Sequence, residues 1–385
     1  MSEIASRPVD RAADEKRGGG QLREHRGGVF AALDLGTSNC RLMIAAPTRR
    51  GFRVIDSYSR IVRLGEGVQD TGQLGEAAME RTLEALQVCA ARLRKHGPGR
   101  LRAVATEACR RASNGRAFLQ RVRVETGLAV ELIAAREEAE LALESCAPLL
   151  QRPPHRHDRG LMFDIGGGST ELGWVGLRGG RGRSAQALIG WHSFPLGVLT
   201  LAERFGQRMF EPAGYACMVE QALAELAVFD RRHGIAAAVA EGRVRLVGTS
   251  GTVTTLAGLA LGLPRYRRVL IDGVVLSGAD AHQATLQLRG LGAAGLAGHP
   301  CVGPERARSV LPGCAIFEAI HRTWPIPSVM VADRGLRDGM LLRMMREAGL
   351  SSEPCPAPAR PRRGGNHEPA MAGPHFAPAP VELPA

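Results

Sequence analysis

The pattern of apolar and polar positions divides the chain into a long central part and two polar ends. Between about residues 29 and 350, short apolar runs typical of buried strands alternate with segments that carry an apolar face at helical spacing, such as Ala77–Leu93. This alternation predicts an α/β fold of mixed sheets flanked by helices. The ends, 1–28 and 351–385, lack apolar periodicity and are predicted to be disordered tails.

Three glycine-rich turns interrupt the central part. In the first two, an apolar strand ends in an acid (Asp34 or Asp164), passes through glycines and hydroxyl residues, and leaves as a second strand. In the third, at 248–252, a strand enters a helix through a similar turn. Glycines bring backbone N–H groups close to a ligand, and consecutive N–H groups in such turns bind anions.

One such turn is weak evidence, because many hairpins use glycine only for geometry. Two hairpins of the same design about 130 residues apart, with a third turn, are harder to explain by geometry alone. The pattern therefore predicts duplicated domains, each presenting a phosphate-binding loop to a shared cleft.

Composition narrows the class of ligand and the compartment. The net charge of +12 suits a polyanionic ligand, whereas 4% aromatic residues disfavour a nucleic-acid stacking surface, so we expect no specific nucleic acid partner. Eight scattered cysteines without a C-x-x-C pair favour buried reduced thiols over disulfides or zinc ligands. No signal peptide or apolar run of membrane-spanning length is visible, so we expect a cytoplasmic protein without a membrane partner.

Two other nucleotide-binding designs fail on particular residues. A P-loop would need Gly-Lys-Ser/Thr, and neither Lys16 nor Lys95 follows a glycine. A dinucleotide-binding loop would need G-x-G-x-x-G opening a helix, whereas the turn at Gly166 is predicted to enter a strand. No histidine falls in a motif, which leaves a phosphohistidine or Ser–His–Asp mechanism without support.

The motifs themselves resemble known ones. The stretches 34–39, 164–171 and 248–252 are similar to the phosphate and adenosine motifs of the actin / sugar-kinase superfamily, and 105–112 and 131–140 are similar to segments specific to exopolyphosphatases and guanosine pentaphosphate phosphatases. The resemblance covers about 29–348. It implies two actin-like (ribonuclease H-like) domains facing a central cleft in a short two-domain form. Domain I would span 29–135 plus about 336–348, and domain II would span 136–335.

The resemblance also implies roles for individual residues. Glu138 would be the general base, and Mg²⁺ would be held by Asp34, Asp164 and Glu171, all four counting as catalytic. The implied phosphate-binding residues are Gly36, Thr37, Ser38, Arg110, Gly166, Gly167, Gly168, Ser169, Gly248, Ser250, Gly251 and Thr252.

Each implied role has an ordinary structural alternative. Asp34 could cap its own turn, Glu171 could be an exposed strand residue, and Glu138 could simply favour the dipole at a helix start. Arg111 competes with Arg110 for phosphate, and Arg60 and Arg63 could each reach the substrate or lie in solvent.

The function implied by the resemblance is a Mg²⁺-dependent exopolyphosphatase acting on inorganic polyphosphate. The alternatives are hydrolysis of guanosine pentaphosphate and, in another class, non-catalytic binding of polyphosphate or an alarmone. A sugar-type kinase is disfavoured because no sugar site is evident. A homodimer is possible. Two departures from the family pattern are Arg308, where relatives tend to have Asp, and Ala134-Ala135-Arg136 before the acidic pair.

Overall fold

A computed structural model describes residues 28–49, 51–152, 157–177 and 186–350. Apart from Gly28, the predicted tails lie outside the described residues. The first half of the chain forms β1 (Phe30–Leu35), β2 (Asn39–Thr48), β3 (Gly51–Ile61), α1 (Val68–Thr71), α2 (Glu76–His96), β4 (Arg100–Ala105), α3 (Glu107–Arg111), α4 (Gly115–Thr126), β5 (Glu131–Leu132) and α5 (Ala135–Leu150).

The second half contains the remaining strands and most of the helices. In chain order they are β6 (Arg159–Ile165), β7 (Thr170–Leu177), β8 (Gln186–Phe194), α6 (Val198–Phe205), a 3₁₀ turn (Gly206–Phe210), α7 (Pro212–His233), α8 (Ile235–Ala240), β9 (Val244–Thr249), α9 (Ser250–Ala260), α10 (Arg268–Ile271), β10 (Val275–Ser277), α11 (Gly278–Gly290), α12 (Gly292–Gly298), α13 (Val310–Thr323), β11 (Ser328–Ala332) and α14 (Leu336–Glu347).

The strands form two sheets that repeat one topology. The first has the order β3-β2-β1-β4-β5, and the second has the order β8-β7-β6-β9-β11-β10. In each sheet two strands form an antiparallel hairpin (β1–β2 or β6–β7). The first strand of that hairpin also pairs, on its other side, in parallel with a later strand (β1 with β4, β6 with β9). The predicted α/β fold class is therefore confirmed. The domain boundary at 135/136 stays a prediction.

The two predicted hairpins have the same turn. In the first, the N–H of Gly36 donates to the carbonyl of Asn39 at 2.9 Å, and in the second the N–H of Gly166 donates to the carbonyl of Ser169 at 2.9 Å. The third turn joins β9 to α9, as the sequence pattern predicts.

Helices cover both faces of each sheet. In the first lobe (β1–β5 with α1–α4 and α14), α2 and α4 pack on one face, and α14 packs through Met340 and Met344 on the other face beside Phe30. In the second lobe (β6–β11 with α5–α13), α7, α9, α11 and α13 bury one face, and α5 packs through Cys146 on the other. The C-terminal helix thus returns to the first lobe, as expected from the resemblance.

Two further expectations concern cysteines and membranes. Six of the seven cysteines in the described ranges are buried free thiols, and Cys217 is exposed. Among the helices that the structure describes, none combines the length and apolar character needed to cross a membrane.

Gly248 differs from the other glycines of the motifs. It lies inside β9 and is not among the residues that line the cleft described below. A Cβ at this position would overlap the Phe163 ring, whereas a Cβ at Gly251 would meet no atom within 4 Å. The structure thus gives Gly248 a packing role, because close approach of β9 to the buried Phe163 leaves no room for a side chain.

This contrast predicts opposite responses to the same substitution. We expect Gly248→Ala to lower the free energy of unfolding by about 1–3 kcal/mol, the usual cost of overpacking a core. Gly251→Ala, which places its methyl group in open space, should leave the unfolding free energy within about 0.5 kcal/mol of the wild type. Urea unfolding followed by circular dichroism measures both, and equal stability of the two variants would contradict the packing role.

Candidate functional site

The three glycine-rich turns line one cleft of about 280 Å³ between the lobes. Most residues that the sequence singled out lie along it. Those brought together are Asp34, Gly36, Thr37, Ser38, Glu138, Asp164, Gly166, Gly167, Gly168, Ser169, Glu171, Ser250, Gly251 and Thr252. Arg110 and Gly248 do not line it.

The two hairpin turns abut each other across the cleft. A Cβ at Gly167 would overlap Ser38, and a Cβ at Gly168 would overlap Thr37. Glycine is needed at both positions because the opposing backbone approaches too closely for any side chain. The turns therefore place hydroxyl groups from the first lobe beside backbone amides from the second.

Asp34 and Asp164 occupy equivalent positions at the ends of β1 and β6. Burial raises the pKa of both carboxyl groups, and Arg41 opposes the rise at each. Asp164 adds to the rise at Asp34, so the two carboxylates are close enough to repel each other. The Ser250 hydroxyl donates a hydrogen bond to Asp164.

Glu171 is a buried carboxylate, which rules out the alternative of an exposed strand residue. It lies in β7 opposite Asp164, and its side chain accepts hydrogen bonds from the hydroxyls of Ser169 at 2.5 Å and Ser193 at 2.9 Å. Burial and, next, the neighbouring Asp164 raise the pKa of Glu171 to about 7, against the effect of the two hydroxyls. A strand residue with these partners is held in one orientation toward the cleft.

The donor set suits Mg²⁺ bound partly through substrate. Within the described ranges, no group of three His, Cys, Asp or Glu side chains converges to hold a metal ion. Mg²⁺ usually takes one or two carboxylates and completes its shell with water and phosphate oxygens. Asp34 and Asp164 fit that requirement, because their mutual repulsion is relieved by a cation between them.

Glu138 lines the cleft from the first turn of α5. Burial raises the pKa of its carboxyl group well above the usual range, and Glu171 adds to the rise. The Arg110 guanidinium donates to Glu138 Oε2 at 2.9 Å and limits the rise. A half-buried glutamate paired with Arg110 does more than complement a helix dipole, because a fully exposed carboxylate would serve the dipole without the cost of partial burial.

Most N–H groups of the Arg110 guanidinium donate hydrogen bonds to other groups of the protein. Besides Glu138, it donates through Nε and Nη2 to Glu107 and through Nη1 to the carbonyl of Ile133 at 3.0 Å. Four of the five guanidinium N–H groups are thus engaged. In this arrangement Arg110 orients Glu138, and its contact with phosphate stays a prediction. Arg111 is exposed and is not among the cleft-lining residues.

Backbone strain concentrates at the cleft. Among the described residues, the non-glycine residues with left-handed backbone are Arg63 (φ 48°) and Ser250 (φ 79°), and both line the cleft. Such conformations carry a cost and cluster at functional sites. Arg63 thus faces the cleft, whereas Arg60 pairs with Glu84 at 3.0 Å and does not line it; contact of Arg63 with the substrate stays a prediction.

Sequence reasoning missed several arginines that line the cleft, and two of them, Arg41 and Arg337, lie near the aspartates. Arg41 lies opposite Asp34 in the β1–β2 hairpin, and Arg337 comes from the first turn of α14. Burial and, next, Arg41 lower the pKa of Arg337, so the two guanidinium groups are near each other. Aligning the two hairpins would have flagged Arg41, because it occupies the position that Glu171 holds in the second hairpin.

Comparison with known proteins agrees with this geometry. Residues 43–348 match the Ppx/GppA phosphatase family. A solved exopolyphosphatase-like protein is 28% identical with a TM-score of 0.73, and the match spans 83% of this chain and 99% of that chain. The Ppx/GppA family member from Aquifex aeolicus is 27% identical with a TM-score of 0.66, and the match spans 84% of this chain and 99% of that chain.

A third relative supports the fold alone. The exopolyphosphatase from Cytophaga hutchinsonii is 22% identical with a TM-score of 0.72, and 84% of this chain covers 99% of that chain. The fold thus recurs in solved proteins that are matched over nearly their whole length. Since the family match spans most of the chain, this protein belongs to the Ppx/GppA phosphatase family.

Proposed function

We propose that this phosphatase releases terminal orthophosphate from inorganic polyphosphate. The observation that carries the proposal is Glu138, a half-buried carboxylate that lines the same cleft as both phosphate-binding turns. A cleft that only binds phosphate gains nothing from an anion in its lining, which repels the ligand. A cleft that hydrolyses phosphate needs a group to accept the proton of the attacking water.

In the proposed reaction, the two turns hold the terminal phosphate through backbone N–H groups and the hydroxyls of Thr37, Ser38 and Ser169. Water attacks the terminal phosphorus atom and loses a proton to Glu138, while the bond from phosphorus to the bridging oxygen breaks and its electron pair stays on the shortened chain. Asp34 and Asp164, with Glu171 as the further predicted ligand, would hold Mg²⁺, and the bound ion would supply charge neutralisation for the phosphate oxygens.

The environment of Glu138 suits it to this step. An ordinary glutamate is too weak a base to take a proton from water efficiently at neutral pH, and a raised pKa brings it closer to the working pH. Burial raises the pKa of Glu138. The Arg110 guanidinium, which is itself held by Glu107, orients the Glu138 carboxylate. Proton acceptance and orientation thus come from different residues.

The role of Glu138 predicts a sharp difference between two adjacent glutamates. Glu138→Gln should lower kcat by about 10²–10⁴-fold with little change in substrate affinity. Glu137→Gln should retain most activity, because Glu137 does not line the cleft and pairs with Arg102 at 2.5 Å. Steady-state phosphate release gives kcat, and calorimetric titration gives affinity. Equal losses in the two variants would show that the base lies elsewhere.

A second prediction concerns the metal. Activity should vanish in excess EDTA and return with Mg²⁺, and Asp164→Ala should raise the Mg²⁺ concentration needed for half-maximal rate. The matched control is Asp158→Ala, which removes a carboxylate paired with Arg243 outside the cleft and should leave the Mg²⁺ requirement unchanged. Full activity in chelator would contradict a metal role.

A third prediction separates polyphosphate from guanosine pentaphosphate. A long polyanion attracts cations beyond the cleft of this +12 chain, so its kcat/KM should be the higher one at low ionic strength and should fall more steeply with salt. Phosphate release from both substrates and from ATP is measured between low and physiological salt. More efficient turnover of guanosine pentaphosphate at every salt concentration would favour that alternative, and ligand retention without release would favour a binding protein.

A further inference from the structure

The turn of the first lobe is supported by the segment that follows β3. The N–H groups of Val62 and Arg63 donate to the carbonyl of Ser38 at 2.9 and 3.0 Å, and the N–H of Gly65 donates to the carbonyl of Thr37 at 3.0 Å. Segment 62–67 and the first turn therefore form one hydrogen-bonded unit.

The turn of the second lobe is supported in the same way by α6. The N–H groups of Val198 and Leu199 donate to the carbonyls of Gly166 and Gly167 at 2.9 and 2.8 Å. A Cβ at Gly197 would overlap the Gly167 backbone, so the start of α6 lies directly against the turn. Movement of α6 therefore moves the second turn.

One side chain joins these two supports across the cleft. Glu203, in the last turn of α6, accepts a hydrogen bond through Oε1 from the N–H of Gly67 at 3.1 Å. Its other oxygen, Oε2, is buried without a hydrogen-bond partner within the described ranges. Among the residues that the structure describes, no backbone hydrogen bond links turn 36–39 directly to turn 166–169.

We propose that Glu203 is a positioning residue that latches the two lobes together and so sets the separation of the two phosphate-binding turns. The turns abut through glycines, and this contact limits how closely they approach. It does not stop them from moving apart. Arg110 and Glu138 also join the lobes, at the start of α5. The hydrogen bond from Gly67 to Glu203 restrains the two supports themselves from moving apart, and it acts on both turns because each support is bonded to one of them. The latch does not depend on which phosphorylated substrate the protein hydrolyses.

The charges around Glu203 make the latch sensitive to pH. Glu66 and Asp70 face it from the first lobe and Arg308 from the second, and burial is the largest cause of the raised pKa of Glu203. The Gly67 N–H, which bonds the carboxylate, lowers the pKa of Glu203, but burial and the two acidic neighbours outweigh it. The latched state therefore favours the protonated carboxyl, and the latch weakens as pH rises through that pKa. Arg308, which departs from the family pattern, lowers the pKa of Glu203 and so partly offsets this weakening.

Amide hydrogen exchange of the substrate-free protein tests the latch. In Glu203→Ala, the protection factor of the Gly67 N–H should fall about tenfold or more, and turns 36–39 and 166–169 should lose protection with it. Glu203→Gln, which keeps an acceptor oxygen, should retain most of the protection. The control Arg204→Ala changes the next residue of α6, whose side chain pairs with Gln221 at 2.7 Å away from the cleft, and should match the wild type.

The pH dependence of amide protection is a second measurement, and it would not change if Glu203 had only a structural role. The protection factor of Gly67 should decrease with rising pH in the wild type and stay constant in Glu203→Gln, which cannot ionise. In phosphate release, Glu203→Ala should raise KM with little change in kcat, because saturating substrate recloses the cleft.

Several outcomes would overturn the latch. They are unchanged protection of both turns in Glu203→Ala, equal losses in Arg204→Ala, and a pH profile of Glu203→Gln that matches the wild type. If Glu203→Ala does not fold, as judged by circular dichroism, the comparison of Glu203→Gln with the wild type across pH decides alone. Because exchange is measured without substrate, a failed latch is distinguishable from a failure of the proposed hydrolysis.

Discussion

The structure depends on holding several carboxylates together in one cleft, where Glu171 is buried and the others are half-buried. Asp34, Asp164, Glu171 and Glu138 all have raised pKa values, and burial is the largest cause at each. Buried anions destabilise a fold unless cations or hydrogen-bond donors accompany them. Here the compensation is distributed: Arg41 acts on both aspartates, Arg110 on Glu138, and serine hydroxyls on Glu171 and Asp164. These donors compensate the carboxylates only in part, and a metal ion bound with the substrate would supply the remaining positive charge.

The duplicated topology explains how these groups meet although they are far apart in sequence. Each lobe places the end of its central strand and the following turn at the cleft, so Asp34 and Asp164 face each other from equivalent positions. Glu138, the proposed base, comes from neither turn. It lies at the start of α5, whose first turn is beside Arg110 while its later residues pack on the second sheet. Helix α14 crosses back to the first sheet and delivers Arg337.

Local patterns predicted the parts of the site that are local, and tertiary contacts decided the rest. An acid followed by glycines and hydroxyls between apolar runs is visible in a single segment, which is why both hairpin turns could be placed from sequence. Gly248 belongs to a motif by spacing, but its neighbour Phe163 is known only from the sheet pairing. Arg110 was assigned to phosphate from the resemblance, and its hydrogen bonds to Glu107 and Glu138 could not be inferred from the sequence. The contact between Gly67 and Glu203 links segments 136 residues apart and leaves no sequence signal.

The two hairpins have diverged at one position with opposite charge. In each, the residue directly across from the aspartate comes seven positions later: Arg41 in the first lobe and Glu171 in the second. A symmetric pair of acids would have repelled the phosphate, and a symmetric pair of arginines would have left no carboxylate beside Asp164. With one of each, the first hairpin contributes a cation and hydroxyls, and the second contributes a second carboxylate and glycine amides. The duplication thus supplies the geometry, and the charge difference divides the cleft into a side that favours phosphate and a side that favours a cation.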